Sequence, residues 1–136
     1  AETFQMVDPP VRLELLLEYA DRLPPLPEVY RPLRDAGLNL VHECQSPVFV
    51  MVEVRDARVV LHADVPPEAP TARGFTSILV DAFDGAPAED VLSAPPDPLR
   101  LLGLTQLLGM QRTRGLTAIY YRIRSDVARQ AGGEGA

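Results

Sequence analysis

No lysine occurs anywhere in the 136 residues, and all 13 basic side chains are arginine. That absence removes two reaction classes. A pyridoxal phosphate enzyme needs a lysine to hold its cofactor as a Schiff base, and a P-loop needs the lysine that reaches the phosphates. Tryptophan is also missing, histidine occurs twice and cysteine once, at Cys44. A single thiol cannot close an internal disulfide. With His42 and His62 it supplies three candidate ligands without the paired spacing or clear fourth ligand of a zinc site. Nor is there an apolar run near the roughly 20 residues that cross a bilayer. Positive charge is short: the net formal charge is −6, which disfavours nucleic acid as the main partner because phosphate binding needs a basic surface. The first residues carry neither the basic region nor the apolar stretch of a secretory signal. A lone cysteine without such a signal suits a reducing compartment, so the expectation is a cytoplasmic protein that binds neither nucleic acid nor membrane.

What is present is a chain of domain size with 46% hydrophobic residues and 14 prolines that punctuate it. Residues 1–10 lack periodicity and read as a loose arm. Val11 to Arg22 has helical spacing, with Leu13, Leu16, Leu17 and Ala20 on one face. Prolines 24, 25 and 27 stop it. An irregular stretch with one short helical turn follows. Val48 to Arg55 alternates, Asp56-Ala57 reads as a tight turn, and Arg58 to Asp64 returns antiparallel. Asn39 to His42 makes a shorter third strand. Beyond Ala69 the period turns helical: Thr71 to Ala82 burying Phe75, Ile78, Leu79 and Ala82, a short helix over 88–92, another over 99–108, and a last one from about Thr113 to Arg129. Gly74 inside the first of these costs about 1 kcal/mol against alanine, which points to a close packing contact. Residues 130–136 are glycine-rich and read as a loose end. The expectation is one domain over 1–136 with its core at about 12–129, an α+β fold in which a small antiparallel sheet of about three strands packs against several helices.

Cys44 lies in Val41-His42-Glu43-Cys44-Gln45-Ser46-Pro47, just before the alternating strand. Two readings stand side by side. A free cysteine is commonly a small buried hydrophobe, yet polar neighbours and a proline describe a loop that presents a thiol. His42, two residues earlier, shares its side in an extended chain and is either a proton acceptor for the thiol or a solvated strand-end histidine. Asp64 and Glu68 read as an acid pair or as the acidic lead into the next helix. Arg112-Thr113-Arg114-Gly115 reads as a helix-entry segment whose guanidinium reaches a loop or a partner carboxylate, or is simply solvated.

Several of these segments, in this order, resemble the SufE family. Tyr19 to Pro27 with its Leu23-Pro24-x-Leu26 step resembles the family's first helix and exit. Val41-x-x-Cys44-Gln45-Ser46-x-Val48 resembles its active-site loop, with Glu43 in place of the usual glycine and Phe49 in place of the usual tryptophan. Ala72-Arg73-Gly74 matches a basic–glycine pair in the helix after the hairpin. Leu104-Thr105-Gln106 followed by Arg112-x-x-Gly115-Leu116 matches the segment before the last helix, with Leu107 replacing a histidine. Pro66 and Pro67 replace most of an acidic stretch and leave Glu68 as its surviving acid.

The resemblance implies a SufE/IscU-like α+β fold and a sulfur acceptor for iron–sulfur cluster assembly. It implies that Cys44 is the persulfide carrier, that His42, Gln45 and Ser46 support it, and that Arg73, Glu68 and Arg112 contact the loop or a partner. The partners it implies are a SufS-like, pyridoxal-phosphate-dependent cysteine desulfurase, stimulated by this chain, and a SufBCD-like cluster scaffold. No metal or cofactor of its own is expected, and no independent turnover: the chain acts as a sulfurtransferase-type accessory protein. In such a fold the cysteine loop packs on the body when free and swings out on docking. The residues leave other classes open: a scaffold-like protein, a partner-docking module with an inert thiol, and a cysteine hydrolase with His42 or His62 as base.

Overall fold

The computed structural model describes residues 8–37, 40–41 and 47–134. Among these the sheet has three strands, β1 (Leu40–Val41), β2 (Val48–Arg55) and β3 (Arg58–Asp64), in the order β1-β2-β3, with both pairings antiparallel. The two-residue turn between β2 and β3 places both Asp56 (φ 54°) and Ala57 (φ 64°) in the left-handed region, the double-positive arrangement whose twist matches that of paired strands. The register sets Val50 opposite Ala63, Val52 opposite Leu61 and Val54 opposite Val59. This is the even-numbered face expected from alternation.

Among the described residues there are six helical pieces: α1 (Pro9–Ala20), α2 (Arg31–Asp35), α3 (Pro70–Phe83), α4 (Ala88–Leu92), α5 (Pro98–Leu101) and α6 (Thr105–Glu134), with a 3₁₀ turn at Glu28–Tyr30. The fold is therefore α+β, as expected. α6 buries Leu116, Ile119, Tyr120, Ile123 and Val127, the stripe its spacing announces, and packs chiefly on β2, while α1 packs on α3.

α3 differs from a simple amphipathic helix. Phe75 and Leu79 are buried, but so are Thr76, Ser77 and Val80, whereas Ile78 is half-buried and Ala82 exposed. The helix contacts α1, β3 and α6, so it needs a broader buried face than one stripe. Likewise Leu16 and Ala20 of α1 are buried, while Leu13 and Leu17 stay more than a third exposed.

Several boundaries shift for identifiable reasons. α1 starts at Pro9 rather than after the proline pair, because proline suits the first helical turn, where its missing N–H has no partner to lose. The Asp8 carbonyl accepts the amides of Val11 and Arg12 at 2.9 and 3.0 Å. The expected helix over 99–108 is cut at Gly103 (φ 72°). There the Gly103 amide returns to the Arg100 carbonyl and the Leu104 amide to Leu99, at 3.0 and 2.9 Å. This double closure satisfies carbonyls left open at a helix end. A helical run then begins at Thr105 and breaks at Gly109 (φ 78°, ψ 166°), after which the last helix continues, so Arg112 to Gly115 lie in its opening turns instead of ahead of it. At the C-terminal end the helix continues to Glu134, and residues 130–134 are not a loose tail.

Candidate functional site

The sequence directs attention to the segment between β1 and β2. Cys44, His42, Gln45 and Ser46 themselves lie outside the described residues; the frame around them is described. Val41 pairs with Val48 and Leu40 with Phe49, and on the other side of β2 Phe49 pairs with Asp64. The two stems, Val41 and Val48, therefore lie at the end of the sheet where β3 finishes.

Three arginines from three helices tie this end together. Arg34 of α2 donates from Nη1 to Asp64 Oδ2 at 3.0 Å and from Nε to Asp35 Oδ1 at 3.1 Å. Both carboxylates hold the guanidinium charged, and its pKa rises above the usual arginine value on account of the bond to Asp64 first and that to Asp35 second. Arg73 of α3 donates from Nε to the Ala20 carbonyl at 2.8 Å and from Nη1 to the Val65 carbonyl at 2.6 Å. It joins the end of α1 to the residue that follows β3. Arg122 of α6 donates from Nη1 to the Leu40 carbonyl at 3.2 Å, with its Nε on Asp126 Oδ2 at 3.1 Å. A forked guanidinium can satisfy two acceptors at once, which a lysine ammonium does with far less geometric control. The lysine-free composition and this architecture are consistent.

The second face of the sheet is also occupied. The Tyr30 ring lies 5.0 Å from that of His62, centroid to centroid, and its hydroxyl donates to Glu53 Oε1 at 3.0 Å. Partial burial first, and the hydrogen bond and charge of Glu53 after it, raise the Tyr30 pKa above 10.0. His62 thus has a packing role in mid-strand, opposite Met51.

Of the other residues singled out in the sequence, Glu68 is exposed in the turn between β3 and α3, and Arg112 is exposed on α6. Asp64 is bonded to Arg34. A cleft of about 280 Å³ lies between α1 and α3, lined by residues including Tyr19, Arg22, Ser77, Asp81 and Asp84; none of Asp64, Glu68, Arg73 or Arg112 is among them. Among the described residues no cluster of three or more His, Cys, Asp or Glu side chains could hold a metal ion, and no helix is long and apolar enough to cross a membrane.

Arg34 and Arg122 escape a reading of the sequence because their acceptors are a distant carboxylate and a backbone carbonyl, and neither leaves a local pattern. Arg73 is marked only through the basic–glycine pair.

A small α+β protein whose sheet end carries a lone-cysteine segment between two strands is the class these features define. Residues 1–127 match the family model described as SufE, the Fe–S metabolism associated domain, and the chain belongs to the SufE family. An uncharacterized SufE-like protein of Mycobacterium tuberculosis is 46% identical over 114 residues, spanning 83% of this chain and 78% of that one. The cysteine desulfuration protein SufE of Plasmodium vivax is 28% identical over 120 residues, covering 87% of this chain and 46% of its own length. The solution structure of a hypothetical protein from Thermus thermophilus superposes with a TM-score of 0.79 at 36% identity, over 96% of this chain and 92% of that one.

Proposed function

We propose that this protein is a sulfur acceptor and carrier of iron–sulfur cluster assembly, with Cys44 as the carrying thiol and 1–136 acting as one domain. The observation that carries the reading is the SufE family match over residues 1–127, in a chain with a single cysteine. The name of the Plasmodium vivax relative, a cysteine desulfuration protein, supports the same chemistry.

The donor in this reading is a pyridoxal-phosphate-dependent cysteine desulfurase of the SufS type. The Cys44 thiolate attacks the outer sulfur of the desulfurase persulfide. The sulfur–sulfur bond of that persulfide breaks, the desulfurase cysteine leaves as thiolate, and Cys44 becomes a persulfide. The exchange is redox-neutral and needs no metal or cofactor on this chain. Its rate depends on thiolate fraction, nucleophilicity and access. Taking the sulfur away stimulates the desulfurase, and a second exchange delivers it to a SufBCD-type scaffold. His42, Gln45 and Ser46 support the thiol, and exposed Glu68 and Arg112 are available for docking. Arg73, with both arms on backbone carbonyls, serves by holding the frame. A cytoplasmic location suits a thiol that must stay reduced.

Desulfurase turnover with cysteine and a mild reductant, with and without the protein, tests the reading when wild type is compared with Cys44→Ser. Stimulation by wild type alone, with a mass gain of one sulfur atom on Cys44, is the expected result. Equal stimulation by the serine variant sinks it and leaves a docking module.

A further inference from the structure

β1, described over Leu40–Val41, is the strand that precedes the Cys44 segment. Val41 is buried in the core and pairs with Val48, while Leu40 pairs with Phe49. The Leu61 amide turns away from β2 to bond Asp84 Oδ1 at 2.9 Å, while Gln130 reaches Val52 and Val54 from the other side of β2. Backbone groups alternate in direction along antiparallel strands, so Val48, even-numbered like Val52 and Val54, turns its amide and carbonyl toward Val41. Leu40, one residue earlier than Val41, therefore directs its carbonyl outward from the sheet. That outward carbonyl is the acceptor of Arg122.

Arg122 is itself held. Its Nε bonds Asp126, whose side chain is 13% exposed and whose other oxygen takes Arg129 Nη2 at 3.2 Å. Asp126 therefore fixes the Arg122 fork from one turn along α6, an arrangement of neighbouring side chains on one helix face. α6 in turn packs on β2, and its Ile119, Ile123 and Val127 are buried in the core. The chain of contacts runs from the core, through α6, to the residue four positions before Cys44.

We infer that Arg122 is a positioning residue for sulfur transfer: by holding the Leu40 carbonyl it fixes the β1 stem that precedes the Cys44 segment in the chain. The inference rests on the proposed role of Cys44. Reaction between two protein-bound sulfurs depends on alignment, and a displacement of about 1 Å can cost a large rate factor. A small, freely tumbling persulfide aligns itself and does not need the frame.

The test compares two sulfur donors, the persulfidated cysteine desulfurase and glutathione persulfide, for wild type, Arg122→Ala and Arg122→Lys, in single-turnover transfer to Cys44. Arg122→Ala is expected to slow transfer from the desulfurase about fivefold or more, to leave transfer from glutathione persulfide within about twofold, and to speed hydrogen exchange at Val41 and Val48. Arg122→Lys, which keeps a donor within reach of Leu40, recovers part of the loss. Unchanged transfer from the desulfurase overturns the inference, and so does an equal loss with both donors. If Arg122→Ala does not fold, Asp126→Asn replaces it: a smaller loss confined to the desulfurase donor is expected, and none overturns the inference. Wild type that accepts sulfur from neither donor, or a Cys44→Ser protein that accepts it as well, refutes the carrier role itself and is recognisable as a separate failure.

Discussion

Gly74 of α3 faces the backbone of Leu16 in α1 so closely that a Cβ at this position would lie 2.1 Å from the Leu16 carbonyl oxygen. No real contact is that short, and a backbone oxygen cannot swing aside as a side chain can. The glycine is what lets the two helices meet, and the neighbouring Arg73 then reaches the Ala20 carbonyl. Gly74→Ala should destabilise the protein by about 3 kcal/mol or more, the upper range for overpacking a close interior contact. The urea midpoint would show it; a shift of under about 1 kcal/mol would mean that α1 is free to move away.

Gln130 closes the open edge of β2. Beyond the two residues paired with β1, the Val54 amide donates to Gln130 Oε1 at 3.1 Å, and Gln130 Nε2 donates to the Val52 carbonyl at 2.5 Å. One carboxamide thus replaces a missing strand neighbour. Gln130→Glu keeps the shape but sets a carboxylate oxygen against the Val52 carbonyl. It should cost more than Gln130→Ala, which leaves both backbone groups to water at about 1–2 kcal/mol. Hydrogen exchange at Val54 should accelerate in both variants, and an unchanged rate would show that the edge is covered in another way.

Ala57 occupies the left-handed region at φ 64°, where a Cβ crowds the carbonyl oxygen at a cost of about 1–2 kcal/mol. Ala57→Gly should therefore raise stability, by about 0.5–1 kcal/mol once the greater freedom of glycine in the unfolded chain is counted. The expected observation is a higher thermal midpoint. A lower one would mean that the Ala57 methyl is making a contact worth more than the strain.

Two tyrosines make the fold sensitive to alkali. Burial raises the Tyr120 pKa above 10.0, and burial together with Glu53 raises that of Tyr30. A raised folded-state value means that the native protein holds the phenol proton more firmly than the unfolded chain. The associated stability is present in full below pH about 10 and falls as pH climbs through the folded-state values. Tyr30→Phe and Tyr120→Phe should lose some stability at neutral pH and show a shallower decline above pH 10. Parallel curves for variant and wild type would rule out these two groups as the cause.

Periodicity was enough for the elements that bury one continuous face. The α6 stripe from Leu116 to Val127, the alternation of β2 and the Asp56-Ala57 turn are local patterns in which each residue's neighbour along the chain is also its neighbour on the surface. The Cys44 segment was legible for a different reason, as a set of residue types in a fixed order that resembles a family. What escaped were the features made by distant backbone. Pro9 fell in the stretch read as a loose arm, although proline fits a first helical turn. Gly103 ended a helix that hydrophobic spacing would have continued.

The sequence by itself determined the hairpin, the α6 stripe and the family, because these depend on residue identity and short spacing. The tertiary structure alone decided that α3 would be buried on a wide face, that Gly74 would touch Leu16, and that Arg34, Arg73 and Arg122 would converge on the sheet end where β1 stops and β2 starts. The acceptors of those arginines include backbone carbonyls, which every residue carries alike. Side-chain identity cannot encode which of them is met; only packing brings a guanidinium to one carbonyl 82 residues away.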